Sequence, residues 1–391
     1  MPKKGMSTRS VHDGDKSLRY EGAINTPIFQ SSTFAFPTEE PRTWNGEVPD
    51  GTYIYSRYSN PTVRAVEDKL ASLEGAESSL AFSSGMAAIT SALLTFLQKG
   101  DKAVAMQDLY GGTYNFLKNE MPRLGVDVHF VPTTDPAELC AVIDDQTKVL
   151  YLESPTNPLL KLIDIREACK LAHEKGCLVM IDNTFASPIL QRPLEMGVDI
   201  VLHSATKYLN GHSDVIAGFV AGPAKHMEQV LLRRKLYGGV LDPLPAYLLG
   251  RGMRTLDLRV RKHDSNAMAV AKFLESHAMV SKCIYPGLES HPDHELAKRQ
   301  MDGFGGMVTF EVKGGRQAAE RALKRFEIIA KAASLGGVES LASMPVNTSH
   351  TAYSFEERQK LGIGEGMIRL SVGIEDTEDI IADLDRSLEQ N

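Results

Sequence analysis

With 391 residues, the chain exceeds one ordinary domain and has room for two or three packed together. Its balance of 42% hydrophobic and 24% charged residues is that of a globular protein, and no apolar run reaches the length of a membrane span. A net charge of −7 without a dense Lys/Arg run argues against non-specific nucleic-acid binding, which needs a basic face.

The start, MPKKGMSTRS, is basic, but no apolar segment follows it, so no secretory signal is expected. Residues 1–60 are rich in Pro, Thr, Ser and Asn, with few periodic segments, and read as an extended arm, of a kind that lies on another surface, often a neighbouring subunit. From Val63 the pattern becomes regular. VRAVEDKLASLEG predicts an amphipathic helix closed by Gly75, SSLAF a strand, and SSGMAAITSALLTFLQKGD a turn opening a helix. KAVAM, DVHFV, KVLYLE, CLVMID, VDIVLH and DVIAGFV then read as strands, with TYNFLKNEMPRLG and DIREACKLAHEKG as helices between them. Apolar strands alternating with helices predict an α/β fold with a mostly parallel sheet, whose ligands bind at the carboxyl ends of the strands.

After about residue 250 the rhythm changes. A long helical stretch follows, interrupted near Gly250–Gly252. Then come a strand at MVTFEV, a helix at GGRQAAERALKRFEII, a strand at MIRLSV and a closing helix with an acidic first turn. The expected organisation is an arm at 1–60, an α/β domain at 61–250 and a smaller α+β domain at 251–391. Cys140, Cys169, Cys177 and Cys283 show no CxxC spacing and are too sparse for a disulfide framework. They read as core residues of a protein in a reducing cytoplasm. The histidines show no metal-ligand spacing, so no metal is expected.

The chemistry concentrates at predicted strand ends. Ser84, Gly85 and Met86 open a helix, where free N–H groups suit a phosphate, although such a junction is also an ordinary turn. Tyr110 follows KAVAM closely and is either a stacking ring for a planar ligand or a packed surface tyrosine. Glu153 and Asn157 flank the two prolines of YLESPTNP; Asn157 could simply bond its own loop. Asp182 leaves a buried strand and needs a partner. That partner is a ligand's protonated nitrogen, an internal cation or a helix N-terminus. Lys207 follows VDIVLH, with Ser204 and Thr206 beside it. A lysine with the ordinary pKa of about 10.4 is a poor nucleophile at neutral pH, and partial burial would free its amine. Taken together, these residues describe a ligand with a phosphate, a planar ring, a basic ring nitrogen and an aldehyde, which is pyridoxal 5′-phosphate.

In this set of motifs the sequence resembles the Cys/Met-metabolism pyridoxal-phosphate enzymes. The family includes cystathionine γ-lyases, β-lyases and γ-synthases, methionine γ-lyases and O-acylhomoserine sulfhydrylases. The resemblance spans essentially the whole chain. It rests on YSRYSNPT, SSGMAAI, DLYGGTY, ESPTNP, IDNTFASP, HSATKYLNGHSDV, SLGGVESL and IRLSVGIED, in that order. It implies fold type I, with Lys207 as the lysine that binds the cofactor and moves protons. Asp182 would pair with the ring nitrogen, and Tyr110 would stack and aid proton transfer. Ser84, Gly85, Met86, Ser204 and Thr206 would hold the phosphate. Tyr55 and Arg57 would reach it from the neighbouring subunit, Tyr55 also acting in catalysis, so a homodimer with shared sites, paired into a homotetramer, is implied. Asn157 would contact cofactor and substrate, and Arg369, with Ser334 nearby, would clamp the substrate α-carboxylate.

The activity implied is that of a carbon–sulfur lyase on a small sulfur amino acid. Cystathionine γ-cleavage stands ahead of β-cleavage; γ-replacement and methionine γ-cleavage are the alternatives. Ala333 stands where cystathionine γ-lyases and γ-synthases often carry a glutamate facing the distal amine. Gly112 stands where methionine γ-lyases carry a cysteine, which argues against a dedicated enzyme of that kind. The chain length fits the cystathionine enzymes better than the longer sulfhydrylases. The segment Ser349–Ser354 is expected near the distal pocket.

Overall fold

A computed structural model describes residues 4–15, 20–35, 52–348, 351 and 353–389. Two sheets carry the architecture. The first contains β1 (Ser78–Phe82), β2 (Lys102–Met106), β3 (Asp127–Val131), β4 (Thr147–Glu153), β5 (Leu178–Asp182), β6 (Ile200–Ser204) and β7 (Gly218–Gly222), in the order β1-β7-β6-β5-β4-β2-β3. The second contains β8 (Val280–Ile284), β9 (Met307–Val312), β10 (Ala330–Lys331), β11 (Leu341–Ser343) and β12 (Met367–Ser371), in the order β10-β11-β12-β9-β8. Buried apolar side chains from both sheets join one hydrophobic cluster. Burial of each large side chain there contributes about 1.5–3 kcal/mol.

The central strands β4, β5 and β6 are buried along almost their whole length, which explains their unbroken apolar sequences. They run parallel to one another and to β2, so their carboxyl ends share one edge. β7 alone runs against its neighbours β1 and β6. Residues 205–217 join β6 to β7 without a helix, and a parallel return needs such a crossover. The strand expected at DVIAGFV accordingly starts four residues late, because Asp214–Ala217 belong to that connection.

Two corrections concern the first sixty residues and the long helical stretch. The arm is not wholly irregular. α1 (Met6–His12) packs on α2 (Pro61–Glu74), with the Arg9 Nε–H donating to Ser72 Oγ at 3.1 Å. The stretch after residue 242 is two helices, Pro243–Met253 and Leu256–Ser276, so the break falls just after the glycines. Among the described residues no helix is long and apolar enough to cross a membrane. No group of three or more metal-ligating side chains gathers among them either.

The sheets meet near the carboxyl edge of the first. The Thr309 hydroxyl on β9 donates to the Pro158 carbonyl at 2.7 Å, which ties the turn after β4 to the second sheet. Arg369 lies on β12, opposite Thr309 on β9 and Ser343 on β11. Arg369, 162 positions after Lys207 in the chain, is thereby brought to the same edge.

Candidate active site

A cavity of about 610 Å³ opens at this edge. Ser84, Gly85, Met86, Tyr110, Asn157, Asp182, Ser204, Thr206, Lys207, Ser334 and Arg369 all line it. Every site residue expected from the sequence is therefore gathered there except Tyr55 and Arg57.

One end of the cavity is built as a cup. Ser84 caps α3 (Gly85–Phe96), its hydroxyl accepting the Ala87 N–H at 3.0 Å. The first N–H groups of this helix have no partner within it. A Cβ on Gly85 would stand 3.0 Å from the Ser204 Cβ, and one on Gly218 would stand 2.2 Å from the Ser84 carbonyl oxygen. Glycine at both positions lets the helix start press against the ends of β6 and β7. The Thr206 hydroxyl is fixed by the Ala217 backbone, with contacts of 3.1 and 3.3 Å. Free amides, serine and threonine hydroxyls and a positive helix end form a donor set that fits a phosphate.

Asp182 lies at the end of β5 and is 7% exposed. Its Oδ1 accepts the Thr184 N–H at 3.0 Å and the Thr184 hydroxyl. That hydroxyl in turn accepts the Ser204 N–H at 2.8 Å. Burial raises the Asp182 pKa, and the Thr184 bonds only partly oppose it. Among the described residues no Lys or Arg pairs with this carboxylate, and the charge of His203 adds to the Thr184 bonds without offsetting the burial, so there is a place for a positive partner in the cavity. A protonated ring nitrogen fits. Thr184 escaped the sequence reading, although a hydroxyl two residues after an aspartate at a turn is a recognisable signal.

Lys207 is the cationic counterpart. Its Nζ donates to Ser334 Oγ at 2.8 Å. Burial, and then the charge of Arg369, lower its pKa to about 8. Ser334 has φ +89°, the left-handed region that a serine adopts only under constraint. Lys207 holds its hydroxyl, and the Arg369 Nη2–H donates to its carbonyl at 3.1 Å. Arg369 Nη1–H donates to Asn157 Oδ1 at 3.1 Å, so Asn157 orients an arginine and is not spent on its own loop. Burial brings Arg369 down to about 10, and its Nε is buried without a partner. A buried guanidinium with an unused donor fits a carboxylate ligand.

Tyr110 is 43% exposed, and its ring lies over Gly112. A Cβ at Gly112 would come within 2.6 Å of the ring and 3.1 Å of the Met86 sulfur. The absent side chain thus sets where the Tyr110 ring rests. Tyr55 and Arg57 are exposed and do not line the cavity. The Arg57 Nη1–H donates to the Lys235 carbonyl at 2.6 Å, and its guanidinium sits 4.9 Å from the Tyr58 ring centre. Glu153, Thr184, Phe185, Ile216, Leu335 and Asn347 also line the cavity, without having been singled out as binding residues. Ala333 and Thr348 line it too, whereas Ser349, His350 and Ala352 of the expected distal segment lie outside the described residues.

A parallel sheet edge that sets a half-buried lysine and a buried carboxylate beside a cup suited to a phosphate fits a pyridoxal-phosphate enzyme of fold type I. The chain belongs to the Cys/Met metabolism PLP-dependent enzyme family, whose model matches residues 7–389. It is 46% identical to the L-methionine gamma-lyase of Treponema denticola, over 100% of this chain and 98% of that protein. Identity is 44% both to the cystathionine gamma-lyase of Bacillus subtilis, over 98% of each chain, and to the cystathionine beta-lyase of Coxiella burnetii, over 99% of this chain and 98% of that one. The crystal structure of metB from Corynebacterium glutamicum superposes with a TM-score of 0.92 at 41% identity, covering 98% of each chain.

Proposed function

We propose a pyridoxal-phosphate-dependent carbon–sulfur lyase that cleaves cystathionine at its γ-carbon, giving cysteine, 2-oxobutyrate and ammonia. The observation that carries the reading is the half-buried Lys207 amine, bonded to Ser334 and lying near Arg369 in a cavity that also presents Asp182. Bound there, the cofactor supplies an electron sink for charge that develops at the substrate α-carbon. The free amine of Lys207 would take the α-proton and, once that proton has been passed on, a β-proton, so that the electron pair released at the β-carbon expels the γ-sulfur, which leaves protonated as the thiol. Arg369 holds the α-carboxylate, and Asn157 keeps the guanidinium aligned. Tyr110 would cover the ring face and move a proton, while Asp182 would keep the ring nitrogen positive. Ser84, Gly85, Met86, Ser204 and Thr206 hold the phosphate.

A second reading, γ-cleavage of methionine, is supported by the relatives named L-methionine gamma-lyase. The deciding experiment supplies cystathionine and methionine separately to the cofactor-loaded protein and identifies the products. Cysteine with 2-oxobutyrate supports the first reading. Homocysteine with pyruvate would mean β-cleavage. Rapid methanethiol release from methionine, with slow turnover of cystathionine, would favour the second reading. Product formation only after a thiol is added to an O-acylhomoserine would mean γ-replacement.

The proposal includes a homodimer with shared sites, paired into a homotetramer, in which residues 1–60 serve as the arm between subunits. The exposure of Tyr55 and Arg57 outside their own chain's cavity supports it. Mixing and refolding an Arg57→Ala variant with a Lys207→Ala variant is then expected to restore part of the activity that each lacks alone. No recovery in verified hybrids would exclude sharing. A reducing, cytoplasmic setting belongs to the same proposal and is supported by four free cysteines, three of them buried. Recovery of the protein from an extracellular fraction would contradict that setting.

A further inference from the structure

Two neighbouring strand ends in the cavity carry carboxyl groups, and the function above uses only one. Glu153 ends β4 and Asp182 ends β5, and the parallel register sets them side by side. Paired residues on adjacent strands face the same side of a sheet. Glu153 is buried and lines the cavity. Its Oε2 accepts the Tyr110 N–H at 2.8 Å, and its carboxylate also takes the Asn157 N–H. Tyr110 immediately precedes the helix Gly111–Asn115 that follows β2, and Asn157 sits in the turn after β4, with its side chain on Arg369. One carboxylate therefore ties together the backbone under the aromatic ring and the backbone under the arginine's partner. Both are referred to the strand next to Asp182. Burial and the charge of Asp182 raise the Glu153 pKa, whereas the two amide donors favour the ionised form.

We propose that Glu153 is a positioning residue that sets the Tyr110 ring and the Asn157–Arg369 pair in register across the cavity. The inference rests on reading this cavity as the pyridoxal-phosphate site. Glu153→Gln preserves size but replaces one acceptor with an NH₂ group, so one of the two backbone N–H groups meets a donor.

The test measures the Kd of the apo-protein for pyridoxal phosphate, together with KM and kcat for the thioether substrate in the fully loaded enzyme. The expected result is an affinity for cofactor about tenfold weaker and a KM about tenfold higher, the scale of one displaced hydrogen bond, with kcat within about twofold. In an Asn157→Ala background the same substitution should raise KM little further, because both act through one contact. Unchanged affinity and KM in a folded variant would overturn the proposal, as would additive KM effects or a loss confined to kcat. Should the glutamine variant not fold, Glu153→Asp decides. It keeps the carboxyl group but is one methylene short of the two amides, so both constants should shift in the same direction; unchanged constants would overturn the proposal. Failure of the unaltered protein to bind pyridoxal phosphate would instead refute the reading of the cavity.

Discussion

Replacing Lys207 by alanine is expected to abolish covalent cofactor capture and to lower turnover by about 10³-fold or more, since it removes a nucleophile and a proton carrier at once. The side chain is held by Ser334 and sits in the cavity, not at the surface. Its pKa of about 8 sets a further expectation. Capture requires the unprotonated amine, and the amine is freed as pH rises through that value. The rate of capture by apo-protein should therefore climb with pH and level off above about 8. A lysine with the ordinary pKa of about 10.4 would keep gaining beyond pH 10. Borohydride reduction of the native holoenzyme, followed by peptide mass measurement, should place the cofactor on Lys207. A modified peptide elsewhere, or full activity in the alanine variant, would refute the assignment.

Arg369→Ala should lower kcat/KM by about 10²–10³-fold, within the 2–5 kcal/mol that loss of a buried, hydrogen-bonded charge partner costs. The loss has two sources. The substrate carboxylate loses its clamp, and the Asn157 side-chain oxygen and Ser334 carbonyl each lose a donor. Arg369→Lys should recover little, because an ammonium cannot reproduce the planar two-pronged contact. Cofactor affinity should survive, since the phosphate cup and Asp182 do not touch this side chain. The charge of Arg369 also lowers the Lys207 pKa, so the midpoint of cofactor capture should move to higher pH in the alanine variant. An unchanged kcat/KM, or an unchanged midpoint, would show that Arg369 acts elsewhere.

Gly112 was read against a dedicated methionine enzyme, yet relatives named for methionine cleavage match the chain along its whole length. The position bears on the site through Tyr110, whose ring occupies the space that a side chain would fill. Its identity therefore sets where the Tyr110 ring rests and does not by itself name the thioether.

Much of the site was legible in the sequence because its residues follow buried strands, and buried strands announce themselves by local composition. SSGMAAI, YLESPTNP, IDNTFASP and HSATKYL each pair an apolar run with polar residues at its end, which needs no knowledge of distant contacts. The same local logic found β1 to β6 to within a few residues. Other features were invisible to it because they depend on register or on chain return. β7 runs antiparallel because residues 205–217 leave no crossover helix. α1 forms where a neighbouring helix covers one of its faces, although its own sequence is polar. Ser334 takes its left-handed backbone from two partners supplied by other segments. The sequence alone determined the strand-end chemistry and the cofactor that it describes. Only the tertiary structure set Glu153 beside Asp182 and carried Arg369 to Asn157, because strand register and the seating of one sheet on another are contacts between residues that the chain itself keeps far apart.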